Sequence, residues 1–136
     1  MIEWHVYIDG ASSGNPGDSG AGIVAFNGNG IEIYRESVHL GCMTNNMAEY
    51  EALVHALRKA RESKVESIHV YTDSLLLANQ INGVYKVRNA CLQEYVNTAK
   101  IIMRSFNRFS LKYIPREENR VADKLAKSGV KKGVNG

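Results

Sequence analysis

The chain has 136 residues, 44% of them hydrophobic and 23% charged, with a formal net charge of +3. This length suits one domain that buries roughly 68% of its unfolded surface, enough for a core without staples. The composition is ordinary for a soluble globular protein, and so small a positive charge is compatible with a polyanionic partner without identifying one.

Residues 2–9 alternate, with Ile2, Trp4, Val6 and Ile8 on one face and His5, Tyr7 and Asp9 on the other. Few of these positions are polar, which predicts a central strand. "GASSGNPGDSG" follows as a glycine-rich turn segment. "AGIVAFNGNGIEIYRESVHL" predicts a hairpin turning at "NGNG". A helix comes next, capped by Thr44 or Asn45, with Met47, Tyr50, Leu53, Val54 and Leu57 as its apolar stripe. Residues 66–73 predict a strand, with a short helix beginning near Ser74. "NGVYKVRN" breaks the pattern, and a further helix runs through about 91–104. "RFSLKYIP" predicts a strand halted by Pro115, and the last helix starts near Glu118 or Asn119. Hairpin strands first and helix-linked strands later predict a mixed sheet, an antiparallel meander joined to parallel crossovers. One domain over residues 1–128 is expected, with 129–136 as a frayed tail.

"HVYID" at 5–9 and "HVYTD" at 69–73 carry His, Tyr and Asp at matching positions. If the two strands are parallel neighbours in register, Asp9 and Asp73 end side by side at the carboxyl edge, where open α/β sheets bind ligands. His5 and His69 would then also be neighbours, and a satisfied pair under a helix is the expectation there rather than a metal site. Two further carboxylates lie on helices. Glu49 is expected in the first turn of its helix, where the dipole favours it, and Asp123 shares a helix edge with Asn119. Each alone is an ordinary surface acid. Gathered at one edge, the four would repel one another unless hard cations filled the space between them.

Cys42 and Cys91 lie far apart, in no spacing that points to zinc, and read as two reduced, buried or half-buried thiols. No apolar run approaches the length of a membrane span, and "MIEWHVYI" starts as a strand rather than a signal segment. The expected location is the cytoplasm. Arg120, Lys124 and Lys127 form a stripe opposite the apolar face of the last helix, which reads as a solvated surface.

"DGASSGNPG", "TNNMAEYEAL", "YTDS" and "IPREENRVADKLA" together resemble the motif set of type 1 ribonuclease H, in the same order, across residues 6 to about 127. The resemblance implies a ribonuclease H-like α/β fold: a five-stranded mixed sheet of three antiparallel and two parallel strands, flanked by helices. It implies hydrolysis of the RNA strand of RNA/DNA hybrids by two Mg2+ ions, with Mn2+ as a substitute, leaving 5′-phosphate and 3′-hydroxyl ends. Asp9 would bridge both ions, Asp123 would hold the one that activates water, and Glu49 and Asp73 the one near the leaving oxygen. Gly10, Ala11, Ser12, Asn15 and Asn46, with Glu49, would read ribose, and Thr44 and Asn45 would form part of a pocket for the DNA-strand phosphate. Ser74 and Asn119 complete the implied substrate contacts. For "TNN" and "GNPG" a helix cap and a turn are the plain explanations, and capping leaves N–H groups that can also meet phosphate.

The chain departs from the family pattern in three places. Many members carry a histidine in the loop before the last helix; Arg116 stands in that loop here and, being always protonated, cannot act as an acid–base. Its expected role is contact with the scissile or leaving phosphate. The basic, Trp-rich protrusion of larger members has no counterpart in "INGVYKVRNACLQEY", so weaker and more salt-sensitive hybrid binding is expected. Leu75 follows "TDS" where a polar residue would make a minor-groove contact. A hybrid-binding protein with little catalysis is the alternative function. A monomer with no obligate protein partner and no membrane association is expected.

Overall fold

The alternating first segment forms β1 (Glu3–Ser12), the middle strand of a five-stranded sheet in the computed structural model, which describes residues 2–135. Met1 and Gly136 lie outside the described residues. β1 pairs antiparallel with β2 (Gly17–Asn27), and β2 with β3 (Glu32–Met43). On its other side β1 pairs parallel with β4 (Ser67–Thr72), and β4 with β5 (Arg108–Tyr113). The strand order β3-β2-β1-β4-β5 is the expected meander plus parallel pair.

β1 is longer than its sequence pattern implies. It continues past Asp9 through Gly10, Ala11 and Ser12, and β2 begins at Gly17, so the expected turn segment shrinks to residues 13–16. Small residues weaken the alternation signal there, but ladder pairing to β2 runs as far as Ser12↔Ser19 and holds them extended.

α1 (Asn45–Glu62) crosses one face of the sheet. Thr44 is its cap, the hydroxyl accepting from Met47 N–H at 3.2 Å. Its buried stripe, including Tyr50, Leu53, Val54 and Leu57, packs with Trp4, Val6 and Ile8 of β1, Ile23 of β2 and Val70 of β4 in one core. Each fully buried side chain of this size is worth about 1.5–3 kcal/mol. α2 (Leu75–Ile81) and α3 (Ala90–Met103) lie on the same side as α1. Tyr50 joins them: its hydroxyl donates to Gln80 at 2.6 Å, and its ring stacks on Tyr95. Residues 82–89 between α2 and α3 are turn and coil.

α4 (Arg120–Asn135) covers the other face, over β1, β2 and β3. It follows a 3-10 turn at Arg116–Glu118, which delays the helix start to Arg120. Gly22 lets it sit close, because a Cβ there would meet the backbone of Ala122 and Ala126, both fully buried. The expected boundary at residue 128 falls inside this helix. Ser37 Oγ donates to Leu125 O at 2.6 Å, His39 Nδ1 to Gly129 O at 3.1 Å and Lys132 Nζ to Ser37 O at 2.6 Å, so β3 holds this helix as far as Lys132. Cys42 and Cys91 are both free, and both are exposed rather than buried or half-buried. Cys42 lies on edge strand β3 and Cys91 in the first turn of α3, positions that present side chains to solvent.

Candidate active site

The parallel pairing of β1 and β4 runs in the register of the repeated sequence: His5↔His69, Tyr7↔Tyr71, Ile8↔Thr72. One step on, Asp9 and Asp73 stand together at the carboxyl edge. Asp9 is buried and Asp73 half-buried.

Glu49 comes to the same point from α1. It is the fifth residue of that helix, in the second turn rather than the first, so the helix N-terminus does not account for its placement. Gly10 does. A Cβ at Gly10 would overlap the backbone of Ala48 and Glu49, so α1 can lie against β1 only because this position is glycine. The same approach lets Gly10 N–H donate to Glu49 Oε1. Oxygens of Asp9, Glu49 and Asp73 all lie within 4.8 Å of one another.

Asp123 reaches the cluster from the first turn of α4. It lies within hydrogen-bonding reach of Asp9 and pairs with Lys127 Nζ at 3.0 Å and, more distantly, with Arg116 at 3.9 Å. All four carboxylates line one cleft of about 580 Å³. Burial, then the charges of Glu49 and Asp73, push the Asp9 carboxyl far above the usual range. Side-chain hydrogen bonds to Glu49 and Asp123 act in the same direction. Burial likewise raises Glu49, partly offset by hydrogen bonds from Asp9 and Gly10 N–H. Burial works upward on Asp123 as well, but the bonds from Lys127 and Asp9 and the charges of Lys127 and Arg116 outweigh it and bring it below its ordinary value.

The remaining expected residues divide by position. Gly10, Ala11, Ser12, Asn45, Ser74 and Arg116 line the cleft beside the carboxylates. Asn15 is next to it, with Oδ1 accepting from Asn45 N–H at 3.0 Å at the start of α1. Thr44 is occupied as the cap of α1, and Asn46 is exposed beside it. Ser74 both lines the cleft and caps α2, accepting from Leu77 N–H at 3.1 Å. Leu75 is exposed. Asn119 differs from the others in being buried, with its amide turned inward: Nδ2 donates to Ile8 O at 2.8 Å and to Asp73 Oδ2 at 3.3 Å.

Lys127 and Lys131 also line the cleft, although the stripe containing Lys127 reads as solvated surface. Their spacing from Asp123, four and eight residues along one helix, was the available signal. Arg116 makes its one ion pair among the described residues with Asp123 rather than with Glu117 or Glu118.

A protein-family model described as reverse transcriptase-like matches residues 7–129. Ribonuclease HI of Halobacterium salinarum is 35% identical over 122 residues, which cover 90% of this chain and 61% of that protein. The chain therefore spans about three fifths of that relative's length. The crystal structure of the ribonuclease H1 from the same archaeon superposes with a TM-score of 0.93 at 33% identity, covering 96% of this chain and 98% of that one. LC11 ribonuclease H1, solved in complex with an RNA/DNA hybrid, gives 0.90 at 33% identity, covering 96% and 99%. With four acidic groups converging on one cleft and this likeness over nearly its whole length, the chain belongs to the type 1 ribonuclease H family.

Proposed function

We propose that the protein is an endoribonuclease that hydrolyses the RNA strand of RNA/DNA hybrids with two divalent cations, Mg2+ or Mn2+ in its place, leaving 5′-phosphate and 3′-hydroxyl ends. The observation that carries this is the convergence of Asp9, Glu49, Asp73 and Asp123 on one cleft from two strand ends and two opposed helices. The donor set is all oxygen and partly buried, which fits hard cations of the magnesium class.

The arrangement divides naturally in two. Asp9 groups with Glu49 and Asp73 on one side and meets Asp123 on the other. Asp9 is thus the member able to serve both ions. When bound, such ions acidify water and stabilise the attacking and leaving oxygens. Asn119 holds Asp73 in place, and Gly10 N–H holds Glu49. Arg116 and Lys127 supply positive charge beside Asp123, where a phosphate would lie. Backbone at Gly10–Ser12 and the Asn15–Asn45 contact at the start of α1 supply donors for ribose and phosphate. The hybrid complex of the similar LC11 protein supports the substrate class. We read the protein as a cytoplasmic monomer acting without an obligate partner; none of the described helices is long and apolar enough to cross a membrane.

The experiment is cleavage of a labelled RNA/DNA hybrid beside double-stranded RNA and double-stranded DNA, with Mg2+, with Mn2+ and with EDTA. Cutting of the RNA strand of the hybrid alone, dependent on metal, is the expected result. Tight hybrid binding without cutting in either metal would instead make the protein a hybrid-binding module.

A further inference from the structure

The same register that pairs Asp9 with Asp73 brings a second set of metal-capable side chains together four residues earlier, about 13 Å away along the strands. Glu3, His5 and His69 each offer one ligand atom, and the three atoms lie within 4.8 Å of one another. Glu3 Oε1 is 3.0 Å from His5 Nε2 and 3.4 Å from His69 Nε2. Donors around a tetrahedral zinc with bonds of about 2.0–2.1 Å stand roughly 3.3 Å apart, so the carboxylate already has the required spacing to both rings.

The two imidazoles are stacked, with centroids 4.8 Å apart, and both turn Nε2 toward Glu3. Their other nitrogens are already engaged. His5 Nδ1 lies 3.1 Å from the Tyr71 hydroxyl, and His69 Nδ1 lies 2.8 Å from the Ser110 hydroxyl. A hydroxyl can donate or accept. Each ring can therefore pass from the tautomer that donates Nε2–H to the one that donates Nδ1–H without losing its outer partner. The second tautomer leaves Nε2 as a lone pair, and a metal-bound histidine commonly has its outer N–H held in this way. Ser67 Oγ lies 3.4 Å from His69 Nε2, the next oxygen at the same corner.

The pair is not covered by a helix, contrary to the sequence expectation. α4 packs over β1, β2 and β3, and the side chains of His5, His69 and Glu3 remain 32%, 30% and 40% exposed. His5 also borders a cavity of about 550 Å³ between the β1–β2 face and residues 117–122. An ion can reach these ligands from solvent, and water can complete its coordination.

We propose that Glu3, His5 and His69 form a binding site for a divalent transition metal of the zinc class, separate from the carboxylate cleft. Two imidazole nitrogens and one carboxylate suit Zn2+, Co2+, Ni2+ or Cu2+, whereas Mg2+ prefers an all-oxygen shell. The two metal classes are thereby sorted between the two ends of one strand pair. A bound ion clips β1 to β4, the strands whose far ends carry Asp9 and Asp73.

The test is calorimetric titration of Zn2+ into the full chain in about 10 mM Mg2+, which occupies oxygen sites without competing for imidazole. Visible absorption of added Co2+ serves as the spectroscopic readout. One equivalent of Zn2+ bound at micromolar concentration or tighter is expected, weakened at least tenfold in His69→Gln and again in His5→Gln. Mg2+-dependent hybrid cleavage should be unchanged in both. Melting in EDTA checks that each variant is folded, and the glutamine variants keep the bulk of a partly exposed side chain. Zn2+ affinity unchanged in both variants, or no binding tighter than millimolar in wild type, would overturn the site without bearing on the carboxylate cluster.

Discussion

Asn119 ties Asp73 to the central strand: its Nδ2 donates at once to Asp73 Oδ2 at 3.3 Å and to Ile8 O at 2.8 Å. The residue is 1% exposed, and its Oδ1 has no partner among the described residues. Asn119→Ala should destabilise the fold by about 1–3 kcal/mol, because a buried acceptor loses its donor. It should also lower kcat by freeing Asp73. Chemical denaturation alongside steady-state cleavage checks both. Wild-type kcat in a variant of reduced stability would confine Asn119 to structure.

Asp9→Asn should abolish cleavage, by roughly 100-fold or more, since Asp9 is the carboxylate common to both halves of the cluster. Without metal the variant should be more stable than wild type by at least about 1 kcal/mol near neutral pH, because keeping a proton on the buried Asp9 carboxyl above its ordinary value costs free energy that asparagine does not incur. Activity assays and melting in EDTA read the two effects. A less stable variant in EDTA would contradict the repulsion inferred for the cluster.

Asp9 and Glu49 both have carboxyls raised above their ordinary values of 3.8 and 4.5, burial being the main cause. Between the ordinary and the raised values the folded protein holds more protons than the unfolded chain, so stability falls as pH rises. Asp123 has the opposite sign, and its contribution is lost only as pH falls below its ordinary 3.8. In EDTA the melting temperature should therefore decline from about pH 5 to about pH 9. Millimolar Mg2+ should raise it most at the alkaline end, where the ions replace the protons. Calorimetry across this range is the measurement; a flat or rising profile in EDTA would mean that the cluster is not protonated in the free protein.

Lys127 and Arg116 flank Asp123 at 3.0 Å and 3.9 Å. Lys127→Met should weaken hybrid binding a few-fold and reduce the slope of log affinity against log salt by about 0.7–0.9, as expected for one lost phosphate contact. Arg116→Ala should lower kcat more than affinity if the guanidinium meets the reacting phosphate. Unchanged kcat and KM would leave Arg116 as a surface partner of Asp123.

Gly10→Ala should destabilise the protein by about 1–3 kcal/mol through overpacking of α1 on β1, and should displace Glu49. Metal affinity of the folded variant, measured by titration, should fall with activity. Full activity at unchanged stability would mean that the helix can shift without moving its carboxylate.

The convergence of Asp9 and Asp73 was legible because "HVYID" and "HVYTD" encode their own register, and the sheet adopts it pair by pair. The antiparallel meander joined to parallel crossovers was legible from where turns and helices interrupt the hydrophobic pattern, and the sheet has that make-up. What escaped reading depends on contacts between distant segments. Ala11 and Ser12 have little strand signal but are extended by pairing with β2. Residues 129–132, with glycine and two lysines, read as a tail yet are fastened to Ser37 and His39. Glu49 sits one turn deeper than the capping pattern implies, a position set by Gly10 on another element. Lys127 reads as solvated until the orientation of α4 over the sheet is known. The exposure of Cys42 and Cys91 likewise depends on which faces of β3 and α3 are left uncovered.

The order in which the acidic groups occur along the polypeptide carries a consequence for biosynthesis. Residues 9, 49 and 73 emerge first, while the fourth resides in a helix that begins only after β5 has been completed at Tyr113. A nascent chain halted there has an incomplete acidic centre and a sheet face without α4, so the last carboxylate arrives in the same docking event that covers that face.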